Sequence, residues 1–296
     1  MIEGEISLGT ILVNDQFLDR VNGTVDIEDR GYQFGDGVYE VVRVYGGKMF
    51  TAKEHLTRLF ESAEKIFLTL PFTLEELTAR LEKLMADNQL DTGIIYLQVT
   101  RGASSRQHHF PDQPSAVLTA YTKEVARPVA DMSAGVKAIT TPDVRWLRCD
   151  IKSLNLLGNL LAKQEAVSKG GFEAILHRDE TVTEGSSSNI FIISDNTMYT
   201  HPATNLILNG ITRREILKHC AAIGLQVAEK AFTLDELMNA EEVFMASTTA
   251  EVMPLTQVND AQIANGTPGN WTRKLQEAFE EAVEKQCGAL TETITL

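Results

Sequence analysis

The sequence predicts a soluble chain of two α/β-type domains. Three observations carry that reading. Short apolar runs bounded by Gly and Asn alternate with stretches of helical spacing along the whole chain. The stretch 123–134, with Pro128, has no periodicity and marks a boundary. The 296 residues, 43% apolar and 23% charged, are ordinary globular material and long enough for two cores. The expected organisation is a domain at 1–122, a linker at 123–134 and a domain at 135–296.

In the first part, residues 8–13 are apolar enough for a strand, and Asn22-Gly23 signals a turn. Three glycines then fall within seven residues, Gly31, Gly35 and Gly37, which predicts a loop that turns tightly or approaches a ligand. From Val38 the residues read as a strand ended by Gly46-Gly47. Val38, Glu40, Val42 and Val44 share one face. Tyr39, Val41, Arg43 and Tyr45 share the other, which is either an amphipathic surface or a pocket wall. Leu56, Leu59, Phe60, Ala63 and Phe67 predict a helix over 53–68, with Arg58 off the stripe and so open to solvent. Thr73 and Glu76 form a capping box before a helix carrying Leu77, Leu81 and Leu84. Strands at 94–100 and 116–121 flank a polar, cationic loop at 101–114.

In the second part, 136–139 is a strand and 156–169 a helix stopped by Gly170-Gly171. Strands at 172–177 and 189–193 enclose a Gly/Ser-rich turn at 181–189. Asn209-Gly210-Ile211-Thr212 opens a helix that runs to about Ile223. Thr233 and Glu236 cap a short helix, 243–246 is a strand, and 270–286 is an amphipathic final helix. There is no internal repeat.

Charge and cysteines narrow the function. The net charge is 27 − 41 = −14, which disfavours general nucleic-acid binding but leaves room for a local cationic pocket. Cys149, Cys220 and Cys287 are odd in number and widely spaced, so free thiols are expected and no metal site. No apolar run reaches the length of a membrane span, and residues 1–5 are acidic, unlike a secretory signal. A cytoplasmic protein is expected.

The chemistry centres on Arg148-Cys149-Asp150-Ile151-Lys152-Ser153-Leu154-Asn155. Lys152 lies between apolar neighbours. It is either an exposed lysine at a strand edge or an amine that forms a Schiff base with a carbonyl or with pyridoxal phosphate. The second reading needs a carboxylate for a pyridine nitrogen, a phosphate cradle and a cation for a substrate carboxylate. Glu184, in its Gly/Ser-rich turn, is the carboxylate candidate or else a solvated loop residue. Gly210-Ile211-Thr212 at a helix start and Ser247-Thr248-Thr249 at a strand end suit a phosphate, with Arg58 as a cation; a plain cap and a plain turn are the alternatives. Arg106 and His108, two apart in an extended loop, point the same way and could hold a carboxylate, or could be solvated.

With these residues in order, the sequence resembles the fold-type IV pyridoxal-phosphate-dependent aminotransferases, and among them the bacterial D-amino acid transaminases. The resemblance rests on 29–42, 54–65, 99–111, 145–157, 181–189, 210–213, 247–251 and 271–276. It implies a small N-terminal α/β domain and a larger C-terminal domain, β-barrel-like with outer helices, with the cofactor in the cleft between them. It also implies roles. Lys152 would carry the cofactor covalently and move the proton, and Glu184 would pair with the pyridine nitrogen. Arg58, Ile211, Thr212 and Thr248 would hold the phosphate. Ser187 would order hydrogen bonds behind the ring, and Leu208 would pack on it. Tyr39, Arg106 and His108 would bind the substrate carboxylate, the last two from the second subunit of a homodimer. Val41 and Thr249 would line the substrate site.

The resemblance further implies transfer of the amino group of D-alanine and other D-amino acids to 2-oxo acids such as 2-oxoglutarate. Asp36, Tyr39, Val41, Arg106 and His108 follow the D-specific pattern rather than that of L-branched-chain aminotransferases. An L-branched-chain aminotransferase and an aminodeoxychorismate lyase are the near rivals. A protein that holds the cofactor without turnover is the distant one.

Overall fold

The structure is a computed structural model that describes residues 9–294. The acidic start at 1–5 and Leu8, the first residue of the expected strand at 8–13, lie outside the described residues. The chain divides into two compact units, Met1–Ala126 with Ile151–Asn155, and Arg127–Asp150 with Leu156–Leu296. The division falls inside the stretch expected as a linker. That stretch is structured: one strand runs to Glu124 and a helix spans Val129–Ala134. The five residues around Lys152, expected in the second domain, pack with the first unit.

The first unit holds β1 (Thr10–Val13), β2 (Gln16–Asp19), α1 (Arg30–Phe34), β3 (Gly37–Tyr45), β4 (Lys48–Met49), α2 (Ala52–Lys65), α3 (Leu74–Asp87), β5 (Gly93–Thr100) and β6 (Val117–Glu124). Its strands form one antiparallel sheet in the order β2-β1-β6-β5-β3-β4. One face is apolar. Val38, Val42 and Val44 of β3 and Ile95, Leu97 and Val99 of β5 join Leu56, Leu59, Leu77 and Leu81 of the two long helices in one core. Each such side chain contributes about 1.5–3 kcal/mol when fully buried. The glycine-rich stretch, expected as a loop, contains the short helix α1. The Asp29 side chain accepts from the Gly31 N–H at its start, and Gly35 closes it in the left-handed region at φ 66°.

The second unit holds α4 (Val129–Ala134), β7 (Val136–Pro142), α5 (Leu157–Ser168), β8 (Glu173–Arg178), β9 (Thr181–Gly185), β10 (Asn189–Ser194), β11 (Thr197–Thr200), α6 (Ile211–Ile223), β12 (Gln226–Ala228), α7 (Leu234–Met238), β13 (Glu242–Ser247), β14 (Glu251–Val258), β15 (Ala261–Gln262) and α8 (Asn270–Cys287). The main sheet runs β12-β11-β10-β13-β14-β7-β8-β9. Two strands far apart in that order, β9 and β10, must lie close in space. β9 and β10 are five strand spacings apart in that order, about 24 Å on a flat sheet. Yet only Ser186–Ser188 separate them in sequence, a reach of about 14 Å from Gly185 to Asn189. The sheet therefore curls toward a barrel. Ile175, Val182, Ile190, Val243 and Met253 fill one core, and Ala162 and Ala166 of α5 cover Ile139, Ala174 and Leu176 in another. Cys149, Cys220 and Cys287 are buried. Among the described residues no helix is long and apolar enough to cross a membrane.

Candidate active site

The chemistry-bearing residues form two clusters, one in each unit. In the first, Glu40 sits fully buried on the apolar face of β3, where an unpaired charge would be prohibitively costly. α2 supplies its partners from one side of the helix, three residues apart. Arg58 donates from Nε to Glu40 Oε1 at 2.7 Å and from Nη2 to Oε2 at 3.0 Å, and His55 Nδ1 lies 2.8 Å from Oε2. Burial would raise the Glu40 carboxyl, but Arg58 and His55 beside it hold it well below the usual carboxylate range. Burial pushes His55 below its ordinary value, against the pull of Glu40. Arg58 is thus buried rather than solvated, contrary to its off-stripe position, because Glu40 needs it.

The segment Ile151–Asn155 lies extended against β3. Ser153 bridges to Val38, the Tyr39 N–H donates to the Lys152 carbonyl at 3.0 Å, and the Leu154 N–H donates to the Gly37 carbonyl at 3.0 Å. Buried Ile151 anchors it in the core. This leaves Lys152 half-buried, its Nζ 4.2 Å from the centre of the Tyr39 ring. Among the described residues no carboxylate pairs with that ammonium. Tyr39 stacks on Tyr96 (5.9 Å), and Tyr96 on Tyr121 (5.2 Å). Val41 is half-buried between β3's ends on the same face as Tyr39.

The loop between β5 and β6 is tied down by Asp36. That carboxylate accepts from Arg30 Nε (2.8 Å) and Arg101 Nε (2.9 Å), and Arg30 donates onward to the carbonyl of Gln107 (2.7 Å). Arg101 also caps the end of α2 through the carbonyls of Ile66 and Phe67. Arg106 and His108 are exposed, and both rest on the Phe34 ring, at 4.9 Å and 5.9 Å. Both thus lie beside one ring, that of Phe34.

In the second unit Glu184 is buried at the end of β9. Its Oε1 accepts from Arg145 Nη1 at 2.6 Å. Its Oε2 accepts from the Leu208 N–H at 3.0 Å and Asn189 Nδ2 at 3.2 Å. Burial pushes the carboxyl up to about 7, opposed by Arg145 and by the Leu208 N–H. Asp143 grips Arg145 from behind at 2.9 Å. Burial would raise Asp143, but Arg145 and Arg178 hold it below its ordinary value. Ser186, Ser187 and Ser188 all donate to Glu173, fully buried on β8.

Leu208 leads to Gly210, where α6 begins. No side chain caps this helix, so the first N–H groups, at Ile211 and Thr212, are not met by a capping side chain; α3 and α7, by contrast, begin with full capping boxes. A Cβ on Gly210 would lie 2.2 Å from Asn189 Oδ1, so any side chain there would disturb the residue that steadies Glu184. Thr248 is half-buried and Thr249 exposed, in the turn from β13 to β14 where the Ala250 N–H donates to Ser247 Oγ at 3.2 Å.

Sequence reasoning missed Glu40, His55, Arg145, Asn189 and Glu173 as parts of these clusters. Glu40 had a signal: an acid at the centre of an apolar strand face demands a cation. Glu173 had the same signal in an apolar strand. Arg145 is brought to Glu184 across 39 residues, which no local pattern shows.

The family model described as Amino-transferase class IV matches residues 37–258. The D-alanine aminotransferase of Listeria monocytogenes serotype 4b is 53% identical, over 95% of this chain and 98% of its own. That of Bacillus licheniformis is 50% identical, over 92% and 96%. The chain belongs to the class IV aminotransferases. Solved structures agree with the fold. The branched-chain amino acid aminotransferase of Escherichia coli superposes with TM-score 0.86 at 25% identity, over 97% of each chain. The 4-amino-4-deoxychorismate lyase of Pseudomonas aeruginosa does so with TM-score 0.79 at 25%, over 94% and 99% of the two chains. This fold thus carries several chemistries, and the choice among them rests on the residues.

Proposed function

We propose that this class IV aminotransferase is a D-amino acid transaminase dependent on pyridoxal 5'-phosphate, moving the amino group of D-alanine to 2-oxo acids such as 2-oxoglutarate, with pyruvate and D-glutamate as products. The observation that carries the reading is Lys152. It is an amine with no carboxylate partner among the described residues, laid on an aromatic ring, in a chain 53% identical to a D-alanine aminotransferase.

The residues present fit the cofactor. Lys152 offers the amine for its aldehyde and buried Glu184 a carboxylate for its ring nitrogen. The uncapped N-terminus of α6 at Ile211 and Thr212, with the turn at Thr248, offers N–H and hydroxyl donors for its phosphate. Leu208, fixed by its own N–H on Glu184, supplies an apolar surface for the ring. When bound, the cofactor supplies the aldehyde that takes the amino group, the ring that takes up the Cα electrons, and the store for the amino group between the two half-reactions.

The chain's residues do the rest. The Lys152 amine removes the Cα proton and returns it on the cofactor side. Glu184 keeps the ring nitrogen protonated, and Arg145 and Asn189 keep Glu184 in place. Tyr39, with Arg106 and His108 contributed by a second copy in a homodimer, holds the α-carboxylate. Val41 and Thr249 line the side-chain space. Arg58, held by Glu40, joins Ile211, Thr212 and Thr248 on the phosphate, and Ser187, bonded to Glu173, orders hydrogen bonds behind the ring.

Lys152→Ala tests the reading. The variant is expected to lose the visible absorbance of covalently held pyridoxal phosphate and to lose turnover by about 10²–10⁴-fold or more. A retained band with near-normal turnover would remove Lys152 from its role.

A further inference from the structure

Two segments of the second unit offer donors for a phosphate, the start of α6 and the turn after β13, and the sheet brings them side by side. A Cβ on Gly210, where α6 begins, would lie 2.2 Å from Asn189 Oδ1. Asn189 opens β10 and pairs across the sheet with Ala246 on β13. One residue on, Ser247 pairs with Glu251 on β14, and Thr248, Thr249 and Ala250 make the turn between them. The N–H groups at Ile211 and Thr212 and the threonine-bearing turn therefore flank Asn189, which also donates to Glu184.

The turn is held from outside itself. Glu251, at its end, sits at φ 52°, a left-handed conformation that a non-glycine residue keeps only where its surroundings impose it. Buried Arg127 imposes it from 124 positions earlier. It grips the Glu251 carboxylate with two parallel bonds, Nε to Oε1 at 2.8 Å and Nη2 to Oε2 at 2.6 Å. Arg127 is fixed in turn, because Nη2 also meets Glu280 of α8 at 2.9 Å and Nη1 donates to the Glu292 carbonyl. Glu251 is 1% exposed, so without that guanidinium its charge would be buried and poorly met.

We propose that Arg127 is a positioning residue for the cofactor's phosphate: through Glu251 it holds the turn 247–251 in the shape that sets Thr248 beside the start of α6. The inference rests on the transaminase reading and deepens it. Arg127 acts at one remove, through a carboxylate. A buried ion pair adds little stability over apolar residues of the same volume, and this one stands at the base of the turn, so what it supplies is orientation. Without the grip Glu251 is free to leave its left-handed conformation, and the turn loses the direction of its donors relative to those of α6.

The test compares the affinity of the whole chain for pyridoxal 5'-phosphate and for pyridoxal, which has the same aldehyde and ring but no phosphate, by equilibrium dialysis. In Arg127→Met the dissociation constant for pyridoxal phosphate is expected to rise about 10- to 100-fold, the worth of one charge-assisted hydrogen bond, while that for pyridoxal changes by less than about threefold. The phosphorus resonance of the bound cofactor is expected to move toward that of the free one, and Arg127→Lys to recover part of the affinity. An unchanged affinity for pyridoxal phosphate would overturn the proposal. Equal losses for both ligands would overturn it too, because the pair would then be a general support of the fold. If Arg127→Met does not fold, Glu251→Gln, which keeps the side chain's length and leaves Arg127 on Glu280, decides by the same ratio of the two constants. A wild type that binds neither ligand would instead overturn the transaminase reading.

Discussion

Two buried carboxylates, Glu40 and Glu184, differ in environment and so in behaviour. Glu40 is met by the Arg58 guanidinium and by His55 and stays ionised far into acid. Glu184 is met by one arginine and two neutral donors, and burial raises it to about 7. The consequence is a pH-dependent stability with a definite sign. A carboxyl whose folded-state value lies above its unfolded value of 4.5 disfavours folding in its ionised form, so this contribution worsens as pH rises from 4.5 to 7 and is constant above. In cofactor-free protein, Glu184→Gln is therefore expected to become more stable relative to wild type across that window, by up to about 3 kcal/mol above pH 7. Denaturant unfolding of both proteins at several pH values checks it; a difference independent of pH would contradict the account. At this scale Lys152 and Glu184 stood out in the sequence as candidates because their neighbours resemble a known pattern, and Glu184 is found buried rather than solvated. Arg58's true partner did not, because the demand for it comes from Glu40, on another element.

At the scale of elements, the helices were the legible part. The stripes of α3 and α8 and the capping boxes at Thr73 and Thr233 are present where the residues put them, whereas α2 stops at Lys65, short of the expected 68, and Phe67, expected on its apolar stripe, lies past the helix end at φ 57° and is exposed. Strands were harder. β14 begins at Glu251, a non-glycine residue at φ 52°, and contains Pro254, so its residues read as a turn rather than a central strand. It is held by Arg127, which grips Glu251 at 2.8 and 2.6 Å, and by Gln276 on the Val252 carbonyl. The loop that carries Arg106 and His108 turns on Gly102, at φ 85°. A Cβ there would meet the Ser115 carbonyl at 1.8 Å. Gly102→Ala has both a strained backbone and no room, and is expected to cost about 1–3 kcal/mol or more. Because the displaced loop carries Arg106 and His108, proposed above to hold the substrate carboxylate, KM for D-alanine is expected to rise as well. A variant with wild-type melting temperature and KM would show the loop to be free of this constraint.

At the scale of the whole chain, the path between the two compact units is not a simple one. Ile151–Asn155 returns to the first unit after the chain has already entered the second. That return pairs Ser153 with Val38, 115 positions earlier, for which a linear pattern has no signal. The curl of the second sheet is likewise a consequence of strand order, known only once β10 is seen beside β13 and β9 beside β8. What the class IV fold leaves open is stereochemistry. The relatives at 48–53% identity are D-alanine aminotransferases, whereas solved neighbours at 25–28% include branched-chain enzymes.

The most direct measurement is a single half-reaction on cofactor-loaded protein, with 2-oxo acid release read for D-alanine and for L-leucine. The account predicts pyruvate from D-alanine at a rate at least about a hundredfold above release from L-leucine. Release from L-leucine alone would keep the fold and contradict the D-amino acid transaminase.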